Sequence, residues 1–193
     1  MARTGDRILD EALHQFGTRG YEATSLDAIA AALGVRKQTV LYWYPSKQAL
    51  LDAVVAQGAE ELHNTLDAAL TRAGPGLERL DAVMRAVFRF AVRRPELLGL
   101  VREVGRLGDD MAIDLRARLQ PLLDRAVAFL EAEIDAGTIR RADPRLLLLF
   151  TYSAVLGVAT EGEARRALGL ESSVAALARL RRELFAFLRA ALT

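Results

Sequence analysis

The sequence contains no cysteine. Disulfides, thiol nucleophiles and cysteine-ligated metals are excluded, and the fold must rest on packing and hydrogen bonds. Histidine is nearly as scarce: His14 and His63 stand far apart, without the spacing of a metal site. No Ser-His-Asp order, glycine-rich phosphate loop or zinc-protease pattern is present, so neither catalytic residue, metal nor cofactor is expected. An excess of charge of one sign is lacking too. The net charge is +1, and the first 50 residues hold six Lys and Arg against five Asp and Glu. Overall charge therefore does not predict a polyanionic partner. The one long uncharged stretch, Leu146 to Thr160, covers 15 residues between Arg145 and Glu161, whereas a membrane-spanning helix takes about 20. It is expected to lie buried between helices or at a subunit interface, with no membrane partner. At the N-terminus M-A-R-T-G-D leads straight into an amphipathic pattern with no signal peptide, so a cytoplasmic protein is expected.

What is present is a chain of 193 residues, 52% hydrophobic and 26% charged, which places it among globular proteins and not disordered ones. Its length suits one domain or two small ones. No strand alternation of useful length occurs, and the apolar residues recur at helical spacing.

The most informative stretch runs from Thr24 to Lys47. Either Thr24 or Ser25 caps a helix there, with Asp27 early enough to complement the positive helix end. Leu26, Ile29, Ala30 and Leu33 make one apolar stripe, and Gly34 supplies the left-handed geometry that ends it. From Arg36 a second helix turns Val40 inward and leaves Lys37, Gln38, Thr39, Leu41, Tyr42 and Trp43 around the remaining surface. Pro45 closes it by restricting Tyr44, and Ser46 caps the next helix. Two helices joined by a short turn containing Gly match a helix-turn-helix, whose second helix enters the major groove. Any helical protein contains capped helices separated by Gly, so residue content must decide. Lys37 and Lys47 are the only lysines, against 24 arginines spread along the chain; Trp43 is the only Trp, and Tyr21, Tyr42 and Tyr44 are three of the four Tyr. Such clustering is hard to explain by packing, although Tyr42, Trp43 and above all Tyr44 have a packing alternative.

From Arg7 to Leu51 the chain, with its G-Y-E-A-T-S segment, L-G-V turn and P-S-K-Q-A-L-L exit, resembles the N-terminal DNA-binding region of the tetracycline-repressor (TetR) family; the resemblance stops near residue 55. It implies an all-α fold: a three-helix helix-turn-helix domain over residues 1–50, then a helical ligand-binding and dimerisation bundle over 51–193. It also implies a homodimeric regulator, most often a repressor, with double-stranded operator DNA and a small-molecule effector as partners. On the family pattern Ser25 and Lys47 contact phosphates, and Lys37, Gln38 and Thr39 reach base edges. The chain departs from that pattern at Arg36, Gln38, Leu41 and Trp43, where relatives often carry Ser, a small residue or Pro, Tyr and His. Arg36 gives up a cap and adds a cation, while Tyr42 and Trp43 stand in for the missing Tyr and His contacts. The chemistry agrees, since Lys and Gln suit purine edges and a Lys at a helix start suits a phosphate.

Beyond residue 50 a long helix is expected to about Ala73, then an apolar face of Leu77, Leu80, Val83, Met84, Val87 and Ala91, with Pro95 starting the next segment. Gly105 and Gly108 bracket a break. The pattern from Asp109 to Ala136 contains Pro121, expected to kink or restart the helix. Pro144 opens the apolar helix to about Leu168, and Ser172 or Ser173 caps the last helix, where Val174, Leu177, Leu184, Phe187 and Leu188 share a face. Met84, Phe88, Met111, Leu115, Phe129 and Phe150 line either a largely apolar ligand cavity or an ordinary core. Tyr152, Arg85, Arg89 or Arg102 could add a polar contact. Leu149, Leu156, Val174, Leu177, Leu184 and Leu188 form either a four-helix dimer interface or an intramolecular core. Glu161 and Glu163 lie two apart on a helix and point away from each other, as a solvated helix end does. The alternative to a ligand-released repressor is a helical small-molecule-binding or enzymatic protein whose N-terminal motif is structural.

Overall fold

The computed structural model describes residues 4–104, 109–160, 162–170 and 173–193, apart from the side chains at 109–115, 156, 159, 160, 163, 164 and 174. Among the described residues the regular structure is helical, as the patterning predicts. In chain order the helices are α1 (Thr4–Arg19), α2 (Leu26–Leu33), α3 (Lys37–Trp43), α4 (Lys47–Arg72), α5 (Leu77–Arg93), α6 (Pro95–Val104), α7 (Asp109–Asp135), α8 (Pro144–Thr160), α9 (Gly162–Ala167) and α10 (Val174–Leu192). No described helix is long and apolar enough to cross a membrane.

Local chemistry accounts for most of the helix ends. Proline opens α6 and α8, where its missing N–H has no intrahelical partner to lose. Of the two serines at the start of α10, Ser173 is the cap: its Oγ accepts from the Ala176 N–H at 3.1 Å. α7 continues through Pro121 as one helix and does not restart there. Residues 144–160 and 162–167 are helical, over the stretch expected as the apolar helix to about Leu168. One expectation needs correction: Phe187 points outward, a step around α10 from the buried Leu184 and Leu188. The break at Gly105 and Gly108, Ser172 and Glu161, and the side chains of Met111, Leu115, Leu156, Glu163 and Val174, lie outside the described residues.

Packing divides the chain into two compact units: Met1–Glu61 with Glu96–Gln120, and Leu62–Pro95 with Pro121–Thr193. The first is centred on Ile8, Phe16, Ile29, Val40, Leu50 and Leu51, with Leu100 and Val104 of α6 buried as well. α6 approaches α1 closely: a Cβ added at Gly17 would lie 2.7 Å from the Glu96 Cβ. Its carboxylates add polar contacts, Glu96 to His14 at 3.2 Å and Glu103 to the Tyr21 main-chain N–H at 2.9 Å. Arg118 of α7 pairs with Asp52 of α4 at 2.7 Å in the same unit.

In the second unit α8 packs on α5 and α10. Leu80, Met84, Phe88, Leu147, Val155, Leu184 and Leu188 supply buried side chains, and Phe88 meets Phe185 edge-on with centroids 5.9 Å apart. Arg189 pairs with Asp81, and Arg125 with Asp67.

Candidate nucleic-acid interface

The helix-turn-helix is set by its caps. Of the two candidate caps, Ser25 fills the role: its backbone is extended and its Oγ accepts from the Ala28 N–H at 3.1 Å. Thr24 is instead buried, its hydroxyl donating to the carbonyls of Gly20 at 2.9 Å and Gln15 at 3.2 Å. Gly34 adopts φ 68°, and the N–H groups of Gly34 and Val35 return to the Ala31 and Ala30 carbonyls. A side chain there would be strained in this left-handed geometry. Arg36 occupies the N-cap of α3 without a side-chain cap bond. Tyr44 ends the helix, its N–H on the Val40 carbonyl at 2.8 Å.

Val40 is fully buried, so it fixes which side of α3 faces the core. At 100° per residue Gln38 and Tyr42 lie on the opposite side, flanked by Leu41 and Thr39, while Lys37 sits about 60° around from Val40 in the first turn. Arg36, Lys37, Gln38 and Tyr42 are exposed, Tyr42 to 84%, while Thr39 and Leu41 are half-buried. The structure thus leaves Arg36, Lys37, Gln38 and Tyr42 accessible at α3. Lys37 places its Nζ 2.7 Å from Oδ2 of Asp27, in the first turn of α2. Trp43 leans away from that surface. Its ring lies on the first turn of α1, where a Cβ at Gly5 would come within 2.9 Å of the indole Cε3. It meets the Tyr42 ring edge-on, with centroids 5.9 Å apart. Tyr44 is half-buried and donates its hydroxyl to the Gly5 carbonyl at 3.4 Å, in keeping with its packing alternative.

Lys47 opens α4, with its Nζ 4.2 Å from the centroid of the Tyr21 ring and donating to the Glu22 carbonyl at 3.2 Å. Tyr21 is buried against Phe16 and donates its hydroxyl to Gln48 at 3.2 Å. Burial pushes its phenol pKa up, and the Glu22 and Asp52 carboxylates add to the shift. Tyr44 is shifted the same way by burial and then by Asp6. Sequence reasoning missed Tyr21 and Asp27 as partners of the two lysines; the only signal for Tyr21 was its place in the aromatic cluster.

The residues considered for a ligand whose side chains are described differ in exposure. Met84 and Phe88 are buried, Phe129 is half-buried, and Phe150, 62% exposed, and Tyr152 are both exposed on α8. Of the residues considered for a dimer interface, Leu149 is exposed, Leu177 half-buried, and Leu184 and Leu188 are buried within the protomer itself.

Comparison with known proteins agrees with this geometry. The family model for bacterial regulatory proteins of the tetR family matches residues 8–54. The negative transcriptional regulator IcaR of the Staphylococcus aureus biofilm operon icaADBC is 27% identical over 152 residues, covering 77% of this chain and 80% of IcaR. The structure of FadR, a fatty acid degradation regulator from Bacillus halodurans, shares the fold at TM-score 0.81 and 17% identity, over 98% of this chain and 96% of that one. AibR, solved with isovaleryl coenzyme A and operator DNA, superposes at TM-score 0.70 and 24% identity, over 81% and 86% of the two chains. A capped helix-turn-helix presenting Lys37, Gln38 and Tyr42, inside a region that the family model spans and on a fold shared nearly end to end with FadR, makes residues 8–54 of this chain a DNA-binding region of the tetR family of bacterial regulatory proteins.

Proposed function

We propose that the protein is a homodimeric repressor that binds a palindromic operator and is released by a small, largely apolar ligand. The observation that carries the reading is the surface of α3: Gln38 and Tyr42 opposite the buried Val40, with Lys37 exposed in the first turn. Two copies of such a helix in major grooves about 34 Å apart read two half-sites one turn of duplex apart. Ser25 and Lys47 hold phosphates, Lys37, Gln38 and Thr39 reach base edges, and Arg36, Leu41, Tyr42 and Trp43 shape the remaining contact. Residues 1–50 form the DNA-reading part and 51–193 the ligand-binding and dimerisation part. Leu146, Leu149 and Phe150 line one exposed stripe of α8, and Phe187 is exposed on α10. A second copy of the chain would cover both. AibR, which shares the fold, has been solved with isovaleryl coenzyme A and operator DNA together, which supports a small-molecule effector for this chain; Met84, Phe88 and Phe129 are the candidates to hold it. Ligand that favours one state of the dimer shifts the population away from the DNA-bound one. The protein acts by binding and not by catalysis, in the cytoplasm.

Selection from random duplexes tests the reading: an enriched palindrome with half-sites one turn apart, bound more weakly as salt rises, is expected. Failure to retard any duplex at low salt would sink it.

A further inference from the structure

The two lysines sit in electrostatically different settings. Lys47 is held by a neutral ring face and a carbonyl oxygen. Lys37 is held by a carboxylate, its Nζ 2.7 Å from Asp27 Oδ2, with both side chains open to solvent. The pair joins the first turns of α2 and α3, ten residues apart, across the Gly34 turn.

We propose that Asp27 is a specificity-determining positioning residue, which pins the Lys37 ammonium at the mouth of the recognition helix and makes it a reader of guanine. The inference rests on the DNA-binding reading above. An ammonium has three donors. Asp27 engages one and leaves two, the number that guanine presents acceptors for through O6 and N7 in the major groove. An unpinned Lys is a flexible point charge, able to meet a phosphate or a base edge indifferently. Pinned, it loses that freedom before DNA arrives, so its contact discriminates more than it attracts. The helix end requires a partner as well. Lys37 opens α3, where the macrodipole disfavours a cation, and the first turn of α3 holds no acidic residue. Asp27 supplies the missing negative charge from the neighbouring helix.

A division of labour follows. The Lys37–Asp27 pair is neutral overall and contributes base preference with little salt dependence. Lys47 keeps its full charge for a phosphate and contributes affinity with little base preference.

The test is selection from random duplexes followed by titration on the enriched operator, with the wild-type chain, Asp27→Asn, Lys37→Met and the double variant. Asp27 is exposed and Asn is isosteric with it, so the melting temperature of D27N serves as the folding control. The wild type is expected to enrich a guanine in each half-site and to lose about five- to hundredfold in affinity when that base is changed. D27N is expected to cut this discrimination below about threefold while binding unrelated duplexes more tightly, because a carboxylate has left the DNA face. In the K37M background the same substitution should leave the base profile unchanged. A wild type that enriches an operator whose base profile D27N does not alter overturns this inference alone. A wild type that enriches nothing overturns the regulator reading along with it.

Discussion

Tyr21 and Lys47 are coupled through the ring face of one and the ammonium of the other, 4.2 Å from the centroid. Their coupling extends inward, because Tyr21 also donates its main-chain N–H to the Glu103 carboxylate at 2.9 Å and its hydroxyl to Gln48. Lys47→Ala is expected to weaken binding to all duplexes alike and to lower the salt slope by about one per protomer. Tyr21→Leu, which removes the ring face but not the charge, should lower affinity with the salt slope intact. Binding isotherms at four salt concentrations separate the two, and a sequence-dependent loss for Lys47→Ala would reverse the role assigned to it.

Gly5 and Trp43 give a second expectation. With its would-be Cβ 2.9 Å from the indole, Gly5→Ala must shift the ring or the first turn of α1. A loss of about 1–3 kcal/mol in unfolding free energy is expected, as for overpacking elsewhere. Trp43 is the only Trp, so its fluorescence reports the displacement directly. Unchanged emission and unchanged stability would show that the contact is slack.

Gln38 and Tyr42 share the outermost face of α3, and neither is needed for its packing. Gln38→Ala should relax preference at one base position by about 1–3 kcal/mol. Tyr42→Ala should reduce DNA affinity at an unaltered melting temperature. A Tyr42→Ala protein that melts markedly lower would return this residue to its packing alternative.

The exposed apolar stripe of α8 carries the dimer expectation. Replacing Phe150 and Leu149 by Arg places charges on a surface already open to solvent, so the protomer should stay folded while self-association is lost. Light scattering should change from twice the chain mass of 21.1 kDa to that mass itself. A wild type that scatters as a single chain at micromolar concentration contradicts the homodimer.

Alkaline pH supplies a linkage test. Burial holds the Tyr21 phenol above its usual pKa, near 10. The neutral phenol is therefore favoured by the fold. Its stabilisation is present in full below the unfolded pKa and is lost as pH rises through the higher folded value. The melting temperature should fall above about pH 10, and less steeply in Tyr21→Phe than in the wild type. Parallel curves for the two proteins would mean that Tyr21 does not contribute.

Much of the recognition region was legible because it depends on near neighbours. Ser25, Gly34, Pro45 and Ser46 act within four residues of themselves, and the direction of Val40 follows from helical spacing alone. Thr24 was ambiguous for the same reason, since both it and Ser25 have the right chemistry for a cap, and only the buried bonds to Gln15 and Gly20 separate them. The partners of the lysines were illegible. Asp27 read as a complement to its own helix end, and its turn toward Lys37 depends on the angle between two helices. Farther contacts were more hidden still: His14 with Glu96 and Tyr21 with Glu103 each bridge 82 positions of sequence. In α8, uniform hydrophobicity concealed direction, so Phe150 could not be assigned to the inside or the outside until its neighbours were placed.

The seating of α6 against α1 bears on how parts can be exchanged among relatives. A hybrid regulator joined at residue 50 would separate Tyr21 from Glu103 and His14 from Glu96, and would meet Gly17 with a foreign helix surface. The transplantable piece is larger and discontinuous: residues up to 61 and residues 96–120 have to come from the same parent. Recombination between related genes, or the assembly of a biosensor from two of them, should then yield working hybrids only when both segments travel together.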